Sequence, residues 1–560
     1  MLNYKRYKRN PVLNFPERTW PDKQIEKAPI WCSVDLRDGN QALIEPMNVD
    51  EKMEMFDLLL RLGFKEIEIG FPAASQIEYD FLRKLVAENK IPDDVKVQVL
   101  TQCRQELVDR TFEAIQGIKN VVVHIYNSTS TLQRDVVFNK SQDEIIDIAI
   151  AGTRMVKEHL ADFDGNVQLE YSPESFTGTE VDFALRICTA VQKEWDHATD
   201  APIIFNLPAT VEMNTPNVYA DQIEWMSTHF EDRDNIILSV HPHNDRGTGV
   251  AITELALLAG AARVEGTLLG NGERTGNVDI LTVAYNMFSQ GINPELEIED
   301  VKEIVEIYER CCKMHVDMRH PYAGKLVFTA FSGSHQDAIN KGVHAMQERG
   351  NEYWEVPYLP IDPADIGRKY EPVVRINSQS GKGGVAFVMD TVYGYKLPKK
   401  MQREFADVIQ YISEQEGGEV EPQKMMEAFK KEYFENKMPF ELVFVDIDDN
   451  MANDETHVSL DFKYNGKAIH SEADGNGPID AVKLAVKQCV PQVDFSVLDY
   501  SEHSLGKGSG AKAAAYIEMR DNRSGNITFG VGVSSNITRA SIRGMFSAMN
   551  RLAKKANDYV

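Results

Sequence analysis

From about residue 30 to residue 291 the apolar positions of the chain follow one repeating rhythm. Short runs rich in β-branched and aromatic residues (WCSVDL, KEIEIGF, VKVQVLT, NVVVHIY, NVQLEYS, PIIFNLP, IILSVHPH and RVEGTLLG) each end in polar, Gly or Pro residues. Between them lie longer segments, such as EKMEMFDLLLRLG, DEIIDIAIAGTRMVKEHL and VAITELALLAG, whose apolar residues recur at steps of three and four. The first pattern is that of strands and the second that of amphipathic helices. Strands alternating with helices imply a parallel sheet, and eight units of this size imply a closed (β/α)8 barrel. An open doubly wound sheet is the rival fold. It carries fewer strands and a Gly-rich first turn, and LRDGNQ contains no GxGxxG.

Past the barrel the rhythm changes. A helix is expected over 297–318, an irregular stretch rich in Pro, Gly and aromatics over about 320–375, and helices again over 398–435. The last 120 or so residues hold an approximate repeat. Strand-like ELVFVDI and THVSLDFKYNG lead to helical GNGPIDAVKLAVKQCV; KAAAYIEMR and NITFGVGVSS lead to ITRASIRGMFSAMNRLAKK. The expected division is a lead-in over 1–29, the barrel over 30–295, a mainly helical connector over 296–435, and a C-terminal α+β domain with internal pseudo-repeat over 436–560. That last domain carries no acid–base constellation, so regulation or assembly suits it better than chemistry.

Composition narrows the classes. Sixty basic residues against 86 acidic give a net charge of −26, which argues against nucleic acid as the main partner. The basic KRYKR at 5–9 reads as a solvated lead-in. No apolar run approaches a membrane span and no signal-peptide pattern opens the chain. The six cysteines, Cys32, Cys103, Cys188, Cys311, Cys312 and Cys489, show no CxxC spacing, which suits a reducing cytoplasm.

Barrel active sites form where the strands end. There the chain places Arg37, Asp38 and Gln41 in LRDGNQ, Glu68 before GFP, His124, Glu170 in LEYSPES, Thr210 in LPAT, and His241, His243, Asn244 and Asp245 in HPHND; Glu273 and Asn277 follow in GNGERTGN. A histidine pair alone could be one hydrogen-bonded imidazole and one solvated neighbour. Set beside Asp38, the two imidazoles form a mixed oxygen–nitrogen ligand set suited to a catalytic divalent cation. Asn277 could add a carbonyl oxygen, and Mg2+, Mn2+ and Zn2+ all stay open. Asn244 and Asp245 read as a turn and a brace for the imidazoles.

These motifs carry a resemblance. LRDGNQ, HPHND and GNGERTGN resemble the acyl-CoA-condensing barrel family, which includes isopropylmalate, homocitrate and citramalate synthases and related lyases. SVDLRDGNQALIEPM, EIEIGFPAAS, LPATVEMNTPN, GNGERTGNVD and INSQSGKGG are similar to the longer bacterial 2-isopropylmalate synthases. Where many members continue the histidine motif as DxGxAxAN, this chain reads DRGTGVAI, as does the longer type.

The resemblance implies a metal-dependent condensation of acetyl-CoA with 3-methyl-2-oxobutanoate, the committed step toward leucine, in a cytoplasmic homodimer. It also implies Mg2+ as cofactor and activation by K+. In that reading Asp38, His241, His243 and Asn277 hold the metal, and Arg37 stabilises the alkoxide, its alternative role being a salt bridge to the ligand carboxylate. Thr210 binds the substrate carboxylate or caps a strand end. Glu68 and His124 line the oxo-acid pocket, although His124 could equally be a satisfied core histidine. Glu170 is the candidate enolising base inside the barrel, His335 of GSHQDA acts with it in enolising acetyl-CoA, and Tyr370 of GRKYEP orients water or substrate. His335 and Tyr370 match family residues that often reach the partner subunit's site.

Two glycine-rich stretches, NSQSGKGG at 377–384 and LGKGSGA at 505–511, lack P-loop spacing. The first could order a loop near the CoA phosphates or be a flexible turn. In the second, Gly506, Gly508 and Ala511 match a GxGxxA pattern near which the family binds leucine; they suit a tight turn equally well. The rivals are a citramalate or homocitrate synthase and a non-catalytic leucine sensor.

Overall fold

The computed structural model describes residue 6 and residues 12–330, 333–350, 352–370, 382–416, 420–450, 455–506, 508 and 510–557. It divides into two compact units, one of residues 1–328 with 361–369, the other of 329–360 with 370–560. No helix among the described residues is long and apolar enough to cross a membrane.

The first unit is a closed barrel of eight parallel strands in sequential order: β1 (Ile30–Ser33), β2 (Glu66–Gly70), β3 (Lys96–Gln102), β4 (Asn120–Ser128), β5 (Asn166–Glu174), β6 (Ile203–Ala209), β7 (Ile236–Pro242) and β8 (Arg263–Gly266). The helices between and after them are α1 (Val49–Arg61), α2 (Gln76–Ala87), α3 (Gln105–Ile115), α4 (Gln142–His159), α5 (Val181–Trp195), α6 (Pro216–His229), α7 (Gly249–Leu258) and α8 (Ile280–Ser289), with α9 (Val301–Cys312) following. The expected strands are all present. Local sequence starts the helices sharply. Asn48 and Glu51 close a capping box on α1, and Ser141 and Glu144 do the same on α4.

Branched apolar side chains such as Ile67, Val97, Val121 and Leu169 are fully or almost fully buried. The barrel also buries a charged column. Arg263, fully buried, donates to Glu66 at 2.6 Å, Gln98 at 2.6 Å, Ser239 at 2.9 Å and Glu265 at 2.9 Å. Buried charge of this density survives only where each ion is paired and hydrogen-bonded.

The second unit begins with α10 (Gly333–Arg349), inside the stretch expected to be irregular. Its apolar positions are few, with Ile339 its buried aliphatic anchor, so the helical period is faint. Next come α11 (Lys382–Thr391), α12 (Lys399–Glu416) and α13 (Pro422–Tyr433). Of the glycine-rich stretch at 377–384, residues 377–381 lie outside the described residues and 382–384 open α11.

The C-terminal repeat is two three-stranded antiparallel sheets, each followed by a helix. The first holds β9 (Phe440–Asn450), β10 (Glu455–Tyr464) and β11 (Lys467–Gly475), then α14 (Pro478–Cys489). The second holds β12 (Phe495–Leu505), β13 (Lys512–Asp521) and β14 (Ile527–Ser534), then α15 (Ile537–Asn557). Two strands per copy were expected. The third of each copy, β11 or β12, is mostly exposed and polar, so it shows little apolar alternation. Val458, Leu460, Val482, Met519, Phe546 and Met549 share one core. Close packing of α15 on β14 requires glycine, because a Cβ at Gly532 would stand 1.9 Å from the Ala540 carbonyl oxygen.

Candidate active site at the C-terminal rim of the barrel

β1 runs into a short π-helical turn, Asp35–Gly39, which carries Arg37 and Asp38. The turn is tied to the strand-eight side of the barrel, because the Leu268 amide donates to Asp35 at 3.0 Å. At the end of β7 period-two alternation puts His241 and His243 on one side, their ring centres 5.4 Å apart. An isolated bridge pairs His243 with Asn277.

Ligand atoms of Asp38, His241 and His243 all lie within 4.8 Å of one another. Nε2 of His241 stands 3.6 Å from Oδ2 of Asp38, and Nε2 of His243 stands 3.7 Å from the same oxygen. Those separations exceed hydrogen-bond length. They match donors arranged around one ion at about 2.0–2.2 Å from each. Nδ1 of His243 and Oδ1 of Asn277 are buried with no hydrogen-bond partner among the described residues, while Nδ2 of Asn277 donates to Oδ2 of Asp38 at 2.7 Å. The donor set fits a hard or borderline divalent cation.

The surrounding charges prepare these groups. Burial would raise the Asp38 carboxyl, but Arg37 and the two imidazoles outweigh it and hold Asp38 well below the usual carboxylate range. Burial would lower His241, yet the nearby carboxylates of Asp38 and Glu265 push it up to about 9; burial and the neighbouring His241 push His243 down to about 4. Arg37 spans two carboxylates, donating through Nε to Glu68 at 3.0 Å and through Nη1 to Asp38 at 2.7 Å.

A cavity of about 220 Å³ opens above these groups. His124 lines it, with Nε2 2.8 Å from the Ser172 hydroxyl and Nδ1 3.3 Å from Glu68. Thr210 also lines it and at the same time accepts from the Ser175 amide at 3.0 Å, so it both caps the strand end and faces the cavity. Leu100, Phe71 and Pro208 add apolar wall.

Two expectations change. Glu170 and Glu68 do not reach the cavity wall. Glu170 pairs in register with His124, is fully buried, and faces Arg263 at 3.4 Å; burial and nearby Glu265 raise its carboxyl well above the usual range. A carboxyl so buried, facing Arg263 and not the cavity, is poorly placed as the enolising base. Glu174, four residues on at the end of β5, lines the cavity and bonds the Ser128 hydroxyl. Asp245 does not brace the imidazoles. It pairs with Arg274 at 2.7 Å and accepts from the Glu212 amide at 2.9 Å, while Asn244 accepts from the Gly249 amide at 2.8 Å to shape the turn.

His335 and Tyr370 belong to the second unit. His335 is exposed on α10 and stacks on Tyr358 with ring centres 4.1 Å apart; the half-buried Tyr370 keeps its hydroxyl buried without a partner among the described residues. Gly506 and Gly508 are exposed with positive φ, and a Cβ at either would meet open space. Ala511 closes that turn through its amide to the Gly508 carbonyl at 3.1 Å.

Sequence reasoning did not single out Glu265 or Arg263. The signal was present, since RVEG sets two charged residues inside a buried strand. Glu68, His124 and Glu265 form a second close donor group. Arg37 and Arg263 already neutralise its two carboxylates, so it is a structural ion network.

Residues 28–307 match the family described as HMGL-like, residues 325–390 the alpha-isopropylmalate synthase post-catalytic domain-like family, and residues 419–553 the LeuA allosteric (dimerisation) domain. The chain is 53% identical to the 2-isopropylmalate synthase of Clostridium acetobutylicum over 98% of this chain and 99% of that one. It is 52% identical to that of Agrobacterium fabrum over 98% of each chain. To that of Acetoanaerobium sticklandii it is 51% identical over 100% of this chain and 98% of the other.

Proposed function

The chain belongs to the 2-isopropylmalate synthase family, and on that premise we propose that its barrel site joins the methyl carbon of acetyl-CoA to the keto carbon of 3-methyl-2-oxobutanoate. Water then cleaves the thioester, giving 2-isopropylmalate and CoA. The observation that carries this reading is the convergence of Asp38, His241 and His243 beneath the cavity, beside Arg37.

Those three residues, with Asn277 as a fourth donor, would hold a divalent cation (Mg2+, Mn2+ or Zn2+), which would supply Lewis-acid polarisation of the keto oxygen and a grip on the carboxylate. Arg37 faces the same space and stabilises negative charge as it develops on that oxygen. Its own position is fixed by Glu68, which acts from beneath the cavity. Thr210 donates to the substrate carboxylate, and His124 with Ser172 forms the polar part of the wall. Leu100, Phe71 and Pro208 take the isopropyl group.

Enolisation requires a group that accepts a methyl proton. Among the cavity-wall residues Glu174 replaces Glu170 in that reading; His335 acts with the base and Tyr370 orients water or substrate, as the family resemblance implies, often at the partner subunit's site. The C-terminal sheets and helices bind leucine, which lowers turnover, and they join two copies into a homodimer. Reduced, unpaired cysteines suit the cytoplasm.

The test is release of CoA thiol from acetyl-CoA with a panel of 2-oxo acids, with and without divalent metal and K+. Metal-dependent turnover led by 3-methyl-2-oxobutanoate is the expected result. Preference for pyruvate or 2-oxoglutarate would point to a citramalate or homocitrate synthase, and no turnover with any acid to a leucine sensor.

A further inference from the structure

Glu265 is fully buried in β8, and each of its oxygens is engaged twice. Oε2 lies 2.8 Å from Nδ1 of His241 and accepts from Nδ2 of Asn206 at 3.1 Å. Oε1 accepts from Nε2 of Gln98 at 2.7 Å and from Nη1 of Arg263 at 2.9 Å. Four donors from β3, β6, β7 and β8 therefore fix one carboxylate. The Arg263 guanidinium that anchors it is itself fully buried and held by Glu66 and Gln98. Such a carboxylate has no freedom to rotate toward the cavity or toward solvent.

We propose that Glu265 is a positioning residue for cation capture, holding the His241 ring through Nδ1 so that Nε2 is directed into the space it shares with Asp38. The proposal rests on the cation-binding reading of Asp38, His241 and His243. Its physical basis is the two-nitrogen logic of imidazole. The bond made by one ring nitrogen decides which nitrogen is free to ligate and in what direction it points. His243 has no counterpart on its own Nδ1, which is buried without a partner among the described residues. The two imidazoles are therefore unequal, with His241 the pre-aligned ligand and His243 the adjustable one. Nothing in the role requires Glu265 to touch substrate.

The experiment uses the full-length chain and Mn2+ alone, with free ion followed by electron paramagnetic resonance and folding by circular dichroism and thermal melting. Glu265→Gln keeps the shape of the side chain and removes its charge. The expected result is a Kd for Mn2+ about tenfold to a hundredfold weaker than in the unaltered protein, in a folded variant. At saturating Mn2+ part of the lost turnover returns, a recovery that mere loosening of the barrel would not give. A Kd within twofold of the unaltered protein overturns the proposal. If Glu265→Gln does not fold, Glu265→Asp is measured instead; it keeps the carboxylate but withdraws it from Nδ1, so weaker binding supports the role and unchanged binding overturns it. An unaltered protein that binds no Mn2+ removes the cation-binding reading itself, and this inference with it.

Discussion

Nε2 of His241 stands 3.6 Å from Oδ2 of Asp38, a gap too wide for a strong hydrogen bond and of the size two ligands of one cation leave between them. The two residues come from opposite ends of the barrel sequence, and closure of β1 against β8 brings them to the same rim.

That relationship sets the first expectation. Asp38→Ala and His241→Ala each remove a donor with the barrel otherwise intact, so both should abolish stoichiometric Mn2+ binding and lower CoA release by at least about a thousandfold, comparable to the loss of a principal electrostatic stabiliser. Calorimetric titration of metal beside the thiol assay checks it. A variant that still bound one ion tightly would remove the site.

Arg37 has two separable contributions. Arg37→Met deletes the cation facing the cavity, which should cost about 10²–10³ in kcat. It also leaves Glu68 buried with His124 but without its guanidinium, which should cost about 3–5 kcal/mol of stability. Pairing it with Glu68→Gln should restore the melting temperature but not the turnover. If the double variant recovers both, Arg37 is structural alone.

Glu170 and Glu174 are expected to part company. Glu174→Gln should lower kcat by about 10²–10⁴, the range for a positioned proton acceptor. Glu170→Gln should stay within about tenfold, because the side chain lies beneath the cavity wall. Glu170 also carries a pH signature. Burial, with Glu265 nearby, raises its folded-state pKa above the unfolded value. Its stabilising contribution is therefore complete below the ordinary Glu pKa of about 4.3 and falls away as pH rises through the raised folded value. Glu170→Gln should match the unaltered protein in acid and melt higher than it at pH 8. Equal melting curves at both pH values would contradict the shift.

Arg263→Met tests the buried column. It takes the buried guanidinium away from Glu66, Glu170 and Glu265 and leaves Lys96 on Glu66 and His241 on Glu265, so the barrel should lose about 3–5 kcal/mol in denaturant unfolding. A loss below about 1 kcal/mol would mean that the barrel interior admits water to its carboxylates.

Leucine at millimolar concentration should reduce CoA release while leaving the metal Kd unchanged, since the proposed effector site lies in the C-terminal fold and not among Asp38, His241 and His243. An unchanged rate would reject feedback by leucine.

Apolar periodicity was enough to read the eight barrel strands, because burial on both faces writes near-continuous branched residues into the chain. The same logic missed β11 and β12, whose exposed, polar faces leave almost no alternation, and α10, where few apolar positions mark the helical period. Residue identity also flagged Arg37, Asp38, His241 and His243, since an aspartate and two alternating imidazoles at strand ends are costly to explain as chance.

Depth was the missing quantity. Glu170 and Glu174 both point inward along β5, and no feature of LEYSPES says which one reaches the rim; strand tilt and register against β4 decided that. Partnership was equally hidden. Asp245 next to the histidines looked like their brace, but the loop after β8 brings Arg274 to it, while Glu265, a strand away in sequence, takes the imidazole. Sequence fixes which chemical groups a strand carries and on which face, because alternation is local. Which of them meet, and which stay beneath the surface, follows from closing the barrel, a constraint shared by all eight strands at once.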